Sequence, residues 1–129
     1  VLDPLAASDE REAVLTAFLD REQPPFTAVV GYNDAAAVSA VRALQRRGRV
    51  VPREVSVVGI DNTNPAHTAL RLTTVDQRLE DVGRLAGEWL QAFVEADPDR
   101  RLALAQRREL IALVLHVRET SAPAPLARP

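Results

Sequence analysis

Asn33 and Asp61 each stand just behind a short apolar, β-branched run, FTAVVG before the first and VSVVGI before the second. An amide side chain offers donor hydrogens and an acceptor oxygen, and a carboxylate accepts two hydroxyl hydrogens at once. Placed side by side, such a pair suits sugars, nucleosides and other polyols. The same residues also have structural uses. Asn33 or Asp34 can cap a helix, and Asp61 can close an Asx-turn through its own backbone. Tyr32, beside Asn33, can stack on a sugar ring or pack against the strand end.

Other chemistries lack material. His67 and His116 are the only histidines. Neither has partners at metal-binding or acid–base spacing, and His116, inside an apolar run, reads as a satisfied core residue. The chain has no Cys, so thiolate catalysis, thiolate metal sites and a disulfide framework are excluded. GYNDA and GIDNT lack the G-x-S-x-G pattern of a nucleophile elbow. The residues therefore favour binding over catalysis, and they call for no metal and no cofactor. Arg42, Arg46, Arg47, Arg49 and Arg53 form the densest positive cluster, which reads as a solvated helix end complementing the dipole rather than a phosphate site. Trp89 falls on the apolar face of its segment and reads as core or interface packing.

The elements that must position Asn33 and Asp61 follow from spacing. Ser8 followed by Asp9, Glu10 and Glu12 looks like a capped helix start, so residues 9–22 are predicted helical, with Pro24 and Pro25 as the stop. Phe26 to Gly31 is a predicted strand. Asp34 to Arg47 is a predicted helix, with Ala37, Val38, Val41 and Leu44 on one face and Gly48 at its end. Val55 to Ile60 is a second strand. Unalternating apolar runs imply burial on both faces, as in a parallel sheet covered by helices. Strand, helix and strand with short joints make a right-handed βαβ unit, so the fold class is α/β. In such sheets ligands bind just past the carboxyl ends of the strands, where Asn33 and Asp61 lie. Further along, Leu72 to Val75 is a short strand. Val75 to Phe93 carries a helical stripe that Asp97-Pro98-Asp99 ends, Leu110 to Val117 is a third strongly apolar strand, and SAPAPLARP from Ser121 is a mobile Pro-rich tail.

The totals agree with one partial domain. The 129 residues, 47% hydrophobic and 26% charged, have a net charge of -2, which gives no basic field for a nucleic-acid backbone. All 16 basic residues are Arg, as a GC-rich genome favours. No apolar run approaches the roughly 18 residues of a membrane span, and the acidic start lacks the basic flank of a signal peptide. The chain begins at Val1 and contains no Met, so it is expected to be a processed form or a fragment.

The ordered series ND at Asn33-Asp34, the Gly48 turn, VP at Val51-Pro52, SVVGID, LTTV and VRET resembles the C-terminal part of the effector-binding domain of LacI/GalR-type transcriptional regulators, from about Phe26 to Pro123. The resemblance implies a type I periplasmic-binding-protein-like fold, with two α/β lobes around a cleft that holds a sugar or nucleoside-like effector. It places the family's effector-binding Asn and Asp on Asn33 and Asp61. It also implies a cytoplasmic homodimer, paired partly through the helix from Asp34 to Arg47, that contacts DNA only through an N-terminal helix-turn-helix lying upstream of Val1. Residues 1–120 would form the partial domain, with 76–110 crossing toward the other lobe, and 121–129 the tail. The stripe Leu79, Val82, Leu85, Trp89 and Phe93 would then lack its partner surface and invite self-association. Tyr32, Asn62 and Arg71 depart from the family pattern, so effector identity does not transfer. The C-lobe of a sugar-transporter binding protein is the alternative with the same fold. An α/β enzyme using Asp61 as a base is the alternative from another class.

Overall fold

The apolar run ahead of Asn33 forms strand β1 (Ala28–Val30), and the run ahead of Asp61 forms β2 (Ser56–Asp61). Between them lies helix α1 (Asp34–Arg46). The structure, a computed structural model, describes residues 13–18, 26–63 and 70–124. Within these, β3 (Thr73–Asp76), α2 (Leu79–Glu95), α3 (Pro98–Ala105) and β4 (Val114–His116) complete the order. The chain divides into two compact units, Val1–Asp76 with Leu115–Pro129, and Gln77–Val114.

In the first unit β1, β2 and β3 run parallel, with Val30 opposite Val58 and Val58 opposite Thr73. β4 follows β3 in the sheet order. Helix α1 forms because its start and stop signals agree. Asn33 Oδ1 accepts from Ala36 N–H at 2.8 Å, Asp34 sits in the first turn and Arg46 in the last, each opposite in sign to its end of the dipole. Gly48, just past the end, takes φ 70°, which a side chain would resist. The helix buries Ala37, Val41 and Leu44 against Val55, Val57 and Leu72, with Leu15 and Phe26 at the margin. Each Val or Leu buried in this way contributes about 1.5–3 kcal/mol. Arg47, from the basic cluster, ties the helix end to the helical stretch 13–18 through Nη2 to Thr16 O at 2.6 Å. The rest of the helix predicted over 9–22 lies outside the described residues.

Three expectations change here. Burial on both faces fails: α1 covers the side carrying Val57 and Gly59, whereas Ala28 and Val30 alternate outward and Val30 is 70% exposed. The strand expected over Leu110 to Val117 contracts to Val114–His116, because β3, only 4 residues long, offers few ladder partners, and Leu110 is 99% exposed. The start of the Pro-rich tail is anchored. Ser121 Oγ lies 2.8 Å from Thr73 Oγ1, and Ser56 Oγ donates to Ala122 O at 3.0 Å. Next to them Thr120, nearly fully buried, bridges β2 and β3: its hydroxyl donates to Val57 O at 2.7 Å and accepts from Thr73 N–H at 2.9 Å, and its carbonyl accepts from Val57 N–H at 2.7 Å. Residues 125–129 lie outside the described residues.

In the second unit α2 carries the predicted stripe from Leu79 onward, whereas Val75, expected at its start, pairs in β3; no residue of α2 is buried. Leu79, Val82 and Phe93 are exposed. Trp89 lies under the Arg107 guanidinium, 4.5 Å from it to the ring centroid. Asp97-Pro98-Asp99 ends this helix as expected, directly after the C-cap Ala96, and also begins α3. Asp97 Oδ1 accepts from Arg100 N–H at 2.9 Å, and Pro98 fills the first helical position, where its missing N–H costs nothing. No helix among the described residues is long and apolar enough to cross a membrane.

Candidate ligand site at the carboxyl edge of the sheet

The parallel pairing of β1 and β2 decides where the candidate residues fall. Asn33 and Asp61 each lie three residues beyond the Val30–Val58 pair, so they occupy equivalent places at the carboxyl edge. Asp61 in turn is the register partner of Asp76 on β3. A row of polar side chains, Asn33, Asp61 and Asp76, therefore crosses the ends of three adjacent strands, in the position where parallel sheets hold ligands.

Each member is held differently. Asn33 does cap its helix, but the cap uses Oδ1 alone, and the Nδ2 hydrogens are the part of the amide that a ligand oxygen can take. Gly31 lets the chain turn from β1 into this cap: a Cβ there would come within 2.6 Å of Ala37 N and 2.8 Å of Asn33 O. Tyr32 is exposed at the same edge. Asp61 has φ 118° and Asn62 φ 56°, two successive residues in backbone regions that L side chains rarely adopt.

The support beneath the row was not foreseen from the sequence. Asp34, 1% exposed, accepts from the Thr74 hydroxyl through Oδ1 and from the Asn62 backbone N–H through Oδ2 at 2.9 Å. Its oxygen sits so close over β2 that a Cβ on Gly59 would collide with it. Asn62 uses both ends of its amide, donating to Asp76 Oδ2 at 3.1 Å and accepting from Arg118 Nη2 at 2.8 Å. Arg118 also donates through Nη1 to Leu72 O at 2.8 Å. One signal for Asp34 was present: a lone Gly inside an apolar strand, as Gly59 is, marks a close approach.

His116 corrects an expectation. It is not a core residue; its side chain is 37% exposed, and Nε2 lies 3.4 Å from Asp76 Oδ2, a partner that sequence spacing could not reveal. His67 lies outside the described residues. Among the described residues, no group of three His, Cys, Asp or Glu side chains could hold a metal ion. Hydrogen-bonding amide and carboxylate groups on a strained but braced turn suit recognition of a hydroxylated ligand.

Comparison with known proteins supplies the wider frame. The HTH-type transcriptional regulator DegA of Bacillus subtilis is 42% identical over 66 residues, 50% of this chain and 19% of the relative. The HTH-type transcriptional repressor PurR of Aliivibrio fischeri is 36% identical over 78 residues, 59% of this chain and 23% of the relative. The crystal structure of a LacI family transcriptional regulator from Arthrobacter sp. FB24 in complex with lactose superposes with a TM-score of 0.72 at 25% identity, covering 90% of this chain and 42% of that one. The chain thus matches about a fifth of the length of these curated relatives. The model of the periplasmic binding protein-like domain matches residues 3–121, and the chain belongs to that family.

Proposed function

We propose that this chain is the effector-sensing part of a LacI-type bacterial transcriptional regulator, acting by binding and not by catalysis. The observation that carries the reading is the equivalent placement of Asn33 and Asp61 beyond the Val30–Val58 pair, which brings an amide and a carboxylate to one sheet edge. Asn33 Nδ2 would donate to a ligand oxygen, Asp61 would accept from vicinal hydroxyls, and Tyr32 would lie against the ring. The ligand class is a sugar or nucleoside-like molecule; the Arthrobacter relative is in complex with lactose. Residues 1–120 would be the partial effector domain and 121–129 its tail. The separate unit Gln77–Val114 fits a segment that belongs with a second lobe. The intact protein would be a cytoplasmic dimer that contacts DNA through a helix-turn-helix outside these residues. An effector would act by binding one DNA-presenting arrangement of that dimer more tightly than the other. The regulators among the relatives weigh against the transporter alternative.

Calorimetry on the intact regulator with lactose and a panel of pentoses, hexoses and nucleosides tests this. Loss of a charged hydrogen-bond acceptor costs about 1.5–3 kcal/mol, so Asp61→Ala weakens the effector by roughly 10- to 100-fold. Equal affinity in wild type and variant removes the assignment.

A further inference from the structure

We infer that Asp34 is the positioning residue for the ligand edge: a buried carboxylate that never meets the ligand and instead sets the left-handed turn that aims Asp61. The inference builds on the ligand reading of Asp61 given above.

Two successive positive-φ residues that are not glycine cost about 1–2 kcal/mol each relative to ordinary backbone, and such a turn persists only where its surroundings over-determine it. At Asp61 and Asn62 the determinant is close at hand. The Asn62 N–H belongs to the peptide joining these two residues, and it donates to Asp34 Oδ2 at 2.9 Å. That bond fixes the plane of the peptide and with it the direction in which the Asp61 side chain leaves the backbone. The other oxygen, Oδ1, accepts from Thr74 Oγ1 on β3, so the carboxylate cannot rotate away from the turn. Gly59 keeps the space open, because any Cβ there would displace Oδ1. Asp34 itself is fixed by its place in the first turn of α1 behind the Asn33 cap. One side chain therefore couples all three strands: its own backbone follows β1, and its two oxygens reach the end of β2 and Thr74 within β3. The Asn62 amide, held by Asp76 and Arg118, steadies the far side of the same turn.

A residue that merely stabilised the sheet would, when removed, loosen all of it. Asp34 as a positioning residue loosens the turn first. The test is amide hydrogen exchange by NMR on the full chain, read at Asn62 and, as a reference in the same sheet, at Val57, whose N–H is bonded to Thr120 O at 2.7 Å. Asp34→Ala deletes the acceptor; relative to Val57, Asn62 exchange is expected to rise about 10- to 100-fold, the range for a lost hydrogen bond to a charged group. The three-bond HN–Hα couplings of Asp61 and Asn62 should move away from their positive-φ values. Asp34→Asn keeps an oxygen for the Asn62 N–H while the Thr74 hydroxyl turns to accept from the new amide, so the rise should shrink to roughly three- to tenfold and the couplings return toward wild type. If Asp34→Ala does not fold, the Asp34→Asn series decides alone. Unchanged Asn62 exchange and couplings overturn the inference, and so does a rise shared equally by Val57. The readouts need no ligand, so the inference fails or stands separately from the Asp61→Ala binding test.

Discussion

Gly59→Ala puts the close approach of Asp34 under load. The added methyl group would occupy the place of Asp34 Oδ1, and the carboxylate is 1% exposed, so it has no solvent to retreat into. Moving it far enough to relieve the collision breaks or bends the bonds from Thr74 Oγ1 and Asn62 N–H. Each is charge-assisted and worth about 1.5–3 kcal/mol net. Ala in place of Gly inside a strand returns about 0.5–1 kcal/mol through the unfolded chain. The expected net loss is therefore about 2–5 kcal/mol, a large share of an ordinary domain's stability. Urea unfolding followed through the NMR signals of Val57 and Thr74 reads this unit by itself, as a lower midpoint at unchanged slope. The sharper reading is a double-mutant cycle. Asp34→Ala removes the severest contact, leaving Leu72 Cδ2 at 3.0 Å and the residue-34 Cα at 3.2 Å, so in that background Gly59→Ala should cost clearly less than in the wild type. A Gly59→Ala variant as stable as wild type, or costs that simply add in the double variant, would refute the reasoning.

Thr120→Val keeps shape but removes the hydroxyl that donates to Val57 O and accepts from Thr73 N–H; stability in urea should fall by about 2–4 kcal/mol, with Thr120→Ser restoring most of it. Arg107→Ala uncovers Trp89, the only tryptophan. Its emission maximum should shift, while the unfolding of the first unit stays within about 0.5 kcal/mol, since a cation–π pair on a half-buried ring contributes about 0.5–1 kcal/mol and only to its own unit.

The sequence made the strand ends readable because local signals there agreed with one another. Asn33, Asp34, Arg46 and Gly48 are start and stop signals for one helix, and all four act as such. The two apolar runs that flank it pair in parallel, which brings Asn33 and Asp61 to one edge. What stayed hidden was long-range. Asp34 reaches Thr74, Asn62 reaches Arg118 and His116 reaches Asp76 at sequence separations of 40, 56 and 40, and no periodicity records such pairs. The missed helix α3 and the shortened strand β4 have a different cause. Asp97-Pro98-Asp99 carries stop and start chemistry at once, since Pro that cannot continue one helix is well suited to begin the next. The run from Leu110 onward has strand-like composition, but strand formation needs a neighbouring ladder, and that was visible only in three dimensions.

The placement of Thr120 also fixes an order of events during synthesis. Val57 and Thr73 are made before Thr120, whose backbone and hydroxyl groups satisfy them. While later residues are still being added, β2 and β3 can meet at Val58 and Thr73, yet the gap beside Val57 stays unfilled. Among the described residues, the parallel sheet is thus locked by groups translated after all of its strands. Such long-separation closure is slow relative to helix formation, so a nascent chain held before residue 120 would present an open, hydrogen-bond-hungry seam to chaperones and to other copies.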